Sequence, residues 1–273
     1  MSTNYLTVSD GTIAYDDQGS GPLVICIPSM GDLRQEYRFL VPQLVEAGYR
    51  VVTMDVRGHG ESSVGWPDYS VAGVGADALG LIRHLNAGPA WLVGASMAAG
   101  ASIWAAVEAP DLVAGMALIG PVVHDTGPLW PGRLLFPVLF AWPWGRSVWM
   151  KYFSTLYPTH KPSDWQEYLR RLRANLGEPG RMKALRRMIM ASKKASGERL
   201  DQVHTPALVI MGTRDPDFKQ PAQEAQWVGN ALHAPVHMIE GAGHYPHAEM
   251  PEQVAPLLLT FFQREKEPAS HGN

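Results

Sequence analysis

The sequence predicts an α/β fold, with a mostly parallel central sheet that is flanked by helices and interrupted by one helical insertion. Six apolar runs alternate with stretches of helical periodicity, as is typical of strands buried on both faces of a parallel sheet. These runs lie at 23–27, 50–54, 91–93, 113–119, 207–211 and 236–239. The alternation stops between residues 121 and 200, where the sequence contains no strand signal. In such a fold, functional residues collect at the carboxyl ends of the strands.

The remaining elements complete this pattern. Two short runs at 5–8 and 12–15 flank Asp10-Gly11, a dipeptide typical of tight hairpins, so we expect an antiparallel start. Core helices are predicted at 36–47, 76–85, 96–107, 222–232 and 252–262. We therefore expect a core domain formed by residues 1–120 and 201–273, with the insertion at 121–200.

Composition excludes several classes of function. The chain has 273 residues, of which 46% are hydrophobic, enough for a sizeable core. Its net charge of −3, without long runs of one sign, argues against a nucleic-acid partner or a polybasic membrane site. The one cysteine, Cys26, excludes an intramolecular disulfide and is interpreted as a small buried hydrophobe. With no secretory signal and no apolar run near ~20 residues, we expect a cytoplasmic protein without membrane insertion.

The candidate nucleophile is Ser96, in the run Gly94-Ala95-Ser96-Met97-Ala98. A serine that follows a strand and precedes a helix, between small residues, can project from a tight turn towards a base, as in the Gly-x-Ser-x-Gly elbow. Ala98 stands in the last glycine position. The alternative interpretation is a small-residue turn that serves helix packing alone.

The candidate base and acid follow the last two strands. His244 lies in a glycine-flanked loop after the run at 236–239, and histidine is the best general base near neutral pH. Asp215 follows the run at 207–211 and would orient the imidazole. Close rivals remain open: His247 for the base and Asp217 for the acid. We expect His59 to be a structural loop residue.

Taken together, these motifs resemble the α/β-hydrolase superfamily over nearly the whole chain. The order Ser, Asp, His matches the family, as does the run Asp55-Val56-Arg57-Gly58-His59-Gly60-Glu61-Ser62, which resembles its Asp-x-Arg-Gly-x-Gly-x-Ser loop. The closing run Glu249-x-Pro251-Glu252 is also similar. One departure lies at Pro28-Ser29, where the family carries His-Gly.

The resemblance implies further roles. It offers Asp125 as an alternative acid, because some family members place the acid after the strand that here ends near Ile119. The backbone amides of Met30 and Met97 would form the oxyanion hole, and the insertion at 121–200 would be the helical cap, or lid. An apolar wall in this cap would bind substrate; we expect it to include Trp130, Phe136, Phe140 and Trp144. No metal or organic cofactor is implied.

The expected function is that of a carboxylesterase-like serine hydrolase, which cleaves a small-molecule ester through an acyl-enzyme. Serine at the elbow argues against haloalkane dehalogenases and epoxide hydrolases, which use aspartate there. Carbon–carbon bond, lactone or peracid chemistry on the same triad stays open. The alternative from another class is a ligand-binding receptor on a hydrolase scaffold. The sequence makes no prediction of oligomeric state.

Overall fold

Eight strands form one sheet in the computed structural model, which describes residues 3–125, 136–141 and 143–265. The strands are β1 (Asn4–Val8), β2 (Gly11–Gln18), β3 (Leu23–Ile27), β4 (Arg50–Met54), β5 (Ala90–Ala95), β6 (Val113–Ile119), β7 (Ala207–Gly212) and β8 (Val236–Ile239). Their order across the sheet is β1-β2-β4-β3-β5-β6-β7-β8. The β1–β2 and β2–β4 pairs are antiparallel, and every other pair is parallel. The predicted α/β fold, with its antiparallel start, is confirmed.

Side chains of the central strands alternate between two apolar clusters, one on each face of the sheet. In β3, Leu23, Ile25 and Ile27 belong to one cluster, whereas Val24 and Cys26 belong to the other. All five are fully buried, as expected of a strand covered on both faces. The sheet is therefore the middle layer of three.

Eleven α-helices lie in the described part of the chain. Those of the core are α1 (Val41–Glu46), α2 (Val71–Leu85), α3 (Met97–Glu108), α9 (Pro221–Leu232), α10 (Pro246–Glu249) and α11 (Pro251–Arg264). Those of segment 121–200 are α4 (Phe136–Leu139), α5 (Gly145–Thr155), α6 (Trp165–Asn175), α7 (Arg181–Met190) and α8 (Lys194–Gly197). No described helix is both long enough and apolar enough to cross a membrane.

Two helices differ from the predicted ranges by more than two residues. The predicted helix 36–47 is divided into a 3-10 helix, Arg34–Tyr37, and α1, which starts at Val41 with Pro42 in its first turn. Helix α2 starts at Val71, five residues before the predicted position, where the Ser70 hydroxyl accepts a hydrogen bond from the Gly73 amide. Gly73 and Gly75, in the first two turns, lower the helix propensity, so the sequence pattern did not predict a helix at these residues.

Segment 121–200 packs on the core through an aromatic cluster. Its members, with their neighbours from the core, are Phe140, Trp149, Phe153, Tyr157, Trp165, Tyr168 and Tyr245. The rings of Phe153 and Trp165 stack with centroids 6.0 Å apart, and Tyr157 lies 5.1 Å from Tyr245 of the core. The described part of this segment is helical and contains no strand. The division into core and cap domains stays a prediction.

Candidate active site

Ser96 occupies the sharp turn between β5 and α3. Its backbone has φ 57° and ψ −122°, a conformation that costs a residue other than glycine about 1–3 kcal/mol. The turn is held from both sides: the Ser96 amide donates to the Ile119 carbonyl at 2.8 Å, and the Ser96 carbonyl accepts from the Ala99 and Val122 amides. The surrounding backbone therefore maintains a strained serine at the carboxyl end of the central strand.

Small residues make this turn possible. A β-carbon at Gly94 would lie 2.5 Å from the Ala98 carbonyl oxygen and 2.6 Å from Ser102 Oγ, so no larger residue fits there without movement. Ala98 is fully buried in α3. The alanine that replaces the usual last glycine is thus accommodated in the turn.

His244 and Asp215 form a buried pair at the neighbouring strand ends. His244 Nδ1 lies 2.7 Å from Asp215 Oδ2, a hydrogen-bond distance, and neither residue is more than 2% exposed. The His244 amide donates to the Leu156 carbonyl at 2.9 Å, which ties the loop to segment 121–200. Asp215 is therefore placed to orient the imidazole.

The end of β6 contacts both the His244 ring and the turn that carries Ser96. A β-carbon at Gly120 would lie 3.2 Å from both Cε1 and Nδ1 of His244, so the ring packs directly on this glycine. The preceding residue, Ile119, accepts the hydrogen bond from the Ser96 amide. Among the described residues, His244 Nε2 is buried without a hydrogen-bond partner. This nitrogen is available to a proton from the nucleophile.

Electrostatics favours the charged imidazole. Burial lowers the pKa of His244, but Asp215 and Asp217 outweigh it and raise that pKa to about 9. Asp217 Oδ2 lies 3.6 Å from Nε2. The three residues offer ligand atoms within 4.8 Å of one another, a spacing that a cation could span. Because Nδ1 and Asp215 already share a short hydrogen bond, we assign this cluster to proton transfer.

Two backbone amides, those of Met30 and Met97, are available as donors. Neither the Met30 nor the Met97 amide donates a hydrogen bond to any described residue. Met97 is the first residue of α3, where amides have no partner within the helix and the helix dipole favours negative charge. These amides are the candidate oxyanion hole, as predicted; their role stays a prediction.

The loop that carries Met30 is held by residues that sequence analysis did not single out. The Ser29 amide donates to Glu36 Oε2 at 2.8 Å, and the Gly31 carbonyl accepts from Trp149 Nε1 at 3.1 Å. Gly31 has φ 72°, and the Trp149 ring lies where its β-carbon would be. No local pattern marks these roles: Trp149 reaches Gly31 across 118 positions of the chain, and the bond of Glu36 to Ser29 depends on how the intervening loop folds.

Buried polar side chains next to this loop form a hydrogen-bonded network. Glu36 Oε1 lies 2.9 Å from His247 Nε2, and Tyr168 donates to Asp32 at 2.6 Å. Burial raises the pKa of Glu36 to about 7 and that of Asp32 well above its ordinary value. Burial also lowers the pKa of His247 to about 3, so this histidine is neutral. Through Glu36, which accepts from the Ser29 amide, this network is connected to the loop that carries Met30.

The other rival residues have partners away from Ser96. His59 is buried, with Nδ1 3.1 Å from the Arg57 carbonyl, and burial lowers its pKa to about 4. Asp125 accepts from the Lys193 amide at 2.8 Å and from the Ser192 hydroxyl. Both have structural contacts that account for their positions.

The predicted apolar wall lies partly outside the described residues. Trp130 is not described, nor is the side chain of Phe136. Phe140 is buried, with its ring 6.0 Å from that of Trp149. Trp144 is half exposed and donates to the Val138 carbonyl. The role of these residues in substrate binding stays a prediction.

A cleft of about 540 Å³ lies at the opposite end of the sheet. It is lined by residues at the amino ends of β7 and β8 and by the last turns of α11, among them His204, His233 and His237. None of the predicted site residues lines it.

Comparison with known proteins agrees with this fold. A family described as alpha/beta hydrolase fold matches residues 22–251. The 2-hydroxy-6-oxononadienedioate/2-hydroxy-6-oxononatrienedioate hydrolase of Burkholderia vietnamiensis is 27% identical over 274 residues, which cover 94% of each chain. A putative non-heme bromoperoxidase, BpoC, of Mycobacterium tuberculosis is 37% identical over 110 residues. That match spans 39% of this chain and only 41% of the relative.

Solved structures show the same fold. An esterase from Thermogutta terrifontis superposes with a TM-score of 0.80 over 98% of this chain and 100% of its own. At 22% identity, this likeness concerns the fold alone. The family match spans well over half of the chain and includes Ser96, Asp215 and His244. The chain therefore belongs to the alpha/beta hydrolase family and is an enzyme of that superfamily.

Proposed function

We propose that this protein is a serine hydrolase that cleaves carboxylic esters of small to medium apolar substrates through an acyl-enzyme. One observation carries the proposal: a strained, buried serine follows the strand next to β6, the end of β6 packs on a buried histidine, and Nδ1 of that histidine is bonded to a buried carboxylate while its Nε2 makes no hydrogen bond to the described residues. This is the arrangement that activates a hydroxyl for attack on a carbonyl.

In the proposed mechanism, neutral His244 takes the Ser96 proton at Nε2 while Oγ attacks the ester carbonyl. The Met30 and Met97 amides donate to the developing oxyanion, and donors of this kind contribute about 3–4 kcal/mol each. Collapse of the intermediate expels the alcohol, which receives its proton from His244, and leaves Ser96 acylated. A water that gives its proton to His244 then releases the acid.

Turnover of p-nitrophenyl esters tests the nucleophile. Ser96→Ala should lower kcat by about 10⁴–10⁶-fold, as expected when a member of such a triad is removed. Ser154→Ala is a matched control, because this hydroxyl donates only to the Met150 carbonyl in α5. Full activity in Ser96→Ala would refute the proposal.

Active-site labelling separates an enzyme from a receptor on the same scaffold. A fluorophosphonate should modify wild-type protein at Ser96, identified by peptide mass spectrometry, and should leave Ser96→Ala unmodified. If Ser96 is not labelled, the receptor alternative gains support.

Carbon–carbon bond hydrolysis is the second candidate. It is favoured by one observation, the similarity over 94% of the chain to a relative named as a 2-hydroxy-6-oxononadienedioate hydrolase. A panel of 2-hydroxy-6-oxo-dienoates beside esters, lactones and a perhydrolysis assay decides which reaction has the highest kcat/KM. Cytoplasmic location and action without a cofactor stay predictions from the sequence.

A further inference from the structure

A second carboxylate faces the catalytic histidine on the nitrogen that must accept the serine proton. Asp215 lies 2.7 Å from His244 Nδ1, whereas Asp217, two residues later, places Oδ2 3.6 Å from Nε2. The imidazole is almost fully buried, so water screens neither charge effectively. His244 is thus placed between two acids.

Asp217 is held in place by two hydrogen bonds. Its amide donates to Asp215 Oδ1 at 3.0 Å, and its Oδ1 accepts from the Tyr152 hydroxyl at 2.6 Å. Tyr152 belongs to α5 of segment 121–200, and its ring lies 5.3 Å from that of Trp149. Trp149 in turn donates to the Gly31 carbonyl of the loop that carries Met30. One aromatic pair therefore contacts both the oxyanion loop and the acid beside His244.

The other groups around His244 do not duplicate this role. Glu36 acts on it through charge from the 3-10 helix Arg34–Tyr37. His247, from α10, is neutral, because burial holds its pKa at about 3. The rings of Tyr245 and Phe218 pack at 5.0 and 6.4 Å and supply apolar surface. Asp217 is the carboxylate on the Nε2 side.

The separation of 3.6 Å is longer than a hydrogen bond, yet short enough for strong attraction in a buried site. At hydrogen-bond distance, Asp217 would lock a proton on Nε2 and block attack by Ser96. The Tyr152 hydroxyl occupies the other carboxylate oxygen and so restrains this closure.

We propose that Asp217 is a positioning residue that sets the charge of His244, and that Tyr152 of segment 121–200 restrains Asp217 from closing onto Nε2. This inference rests on the proposed hydrolase function. His244 then rests as a cation between turnovers and must lose its proton before Ser96 is activated. Activity should therefore rise with pH as His244, with a pKa of about 9, loses its proton.

The two side chains have opposite effects on the acid limb of the kcat/KM profile. Asp217→Asn keeps the shape and the contact with Tyr152 but removes the charge, so the midpoint should fall by about 1 pH unit or more. At pH 7, kcat/KM then rises about three- to tenfold, while the plateau at high pH is equal or lower because the imidazole is a weaker base. Tyr152→Phe should move the midpoint upward, and it should have no such effect in the Asp217→Asn background.

Glu240→Gln is the matched control for net charge, because this exposed carboxylate follows β8. It should leave the midpoint where it is in wild type. Melting temperatures of all variants check that the fold is intact. A loss of kcat/KM in Asp217→Asn that is uniform across pH would indicate a merely structural residue and would overturn the inference.

Proton NMR of the imidazole gives a reading that needs no turnover. The downfield Nδ1 proton of His244, assigned by its disappearance in His244→Gln, should titrate at a lower pH in Asp217→Asn than in wild type. An unchanged midpoint would overturn the role of Asp217, even if esters are hydrolysed. Conversely, full turnover by Ser96→Ala would refute the hydrolase mechanism, whereas the NMR midpoint would still report on Asp217.

Discussion

Replacing Gly94 with alanine tests whether the packing of the turn dictates the position of Ser96. The new methyl would lie 2.5 Å from the Ala98 carbonyl oxygen, about 1 Å inside van der Waals contact. Because this oxygen belongs to the α3 backbone, a side-chain rotation cannot relieve the clash. Overpacking of this kind costs about 1–3 kcal/mol, which corresponds to a melting temperature lower by about 2–4 °C for each kcal/mol. Movement of α3 would also displace the Met97 amide, so we expect kcat for esters to fall about 100-fold.

Gly80→Ala is the matched control for this variant. Gly80 lies inside α2, and its β-carbon would meet only Leu6 Cδ2, at an ordinary 3.5 Å. Alanine is the better helix former by about 1 kcal/mol, so the control should melt at the wild-type temperature or above it, with unchanged kcat. Differential scanning calorimetry and p-nitrophenyl ester turnover measure both quantities. If Gly94→Ala melts and turns over like Gly80→Ala, the account of the elbow is wrong.

Two further predictions concern the oxyanion loop and a buried histidine. Trp149→Phe removes the donor to the Gly31 carbonyl. In steady-state kinetics we expect kcat to fall about tenfold with little change in KM. A tenfold rise in KM as well would contradict a role of this bond in the transition state. His59 has a folded-state pKa of about 4 against an ordinary 6.5, so the stability it contributes is complete above pH 6.5 and is lost as pH falls towards 4. The free energy of unfolding, measured in urea at pH 7 and pH 4.5, should therefore fall less in His59→Gln than in wild type. The difference between the two losses should be at most about 3 kcal/mol. Equal losses would place His59 in a solvated environment.

The positions of the parallel strands along the chain were predictable because burial on both faces leaves a local signature. Runs such as those of β3 and β6 are apolar at consecutive positions. A strand with one face exposed to solvent would instead alternate apolar and polar residues. The start of α2 was not predictable, since Gly73 and Gly75 lower helix propensity there. The structure explains these glycines: a β-carbon at Gly73 would lie 2.5 Å from Arg57, and one at Gly75 would lie 2.6 Å from Trp104. Close packing between distant elements outweighed local preference.

The sequence by itself determined the fold class and the candidates Ser96, His244 and Asp215, with rivals left open for the base and the acid. Ser96, Asp215 and His244 each follow a strand within a few residues, and parallel strands bring their carboxyl ends to one edge of the sheet. The choice between two aspartates was decided only by the tertiary structure, which joins Asp215 to Nδ1 and leaves Asp217 3.6 Å from Nε2. The structure alone also placed Glu36 under the oxyanion loop and Tyr152 on Asp217. The physical reason is the same in each case: a hydrogen bond depends on tenths of an ångström between loops that meet only after the chain has packed, and no periodicity in the sequence records such a distance.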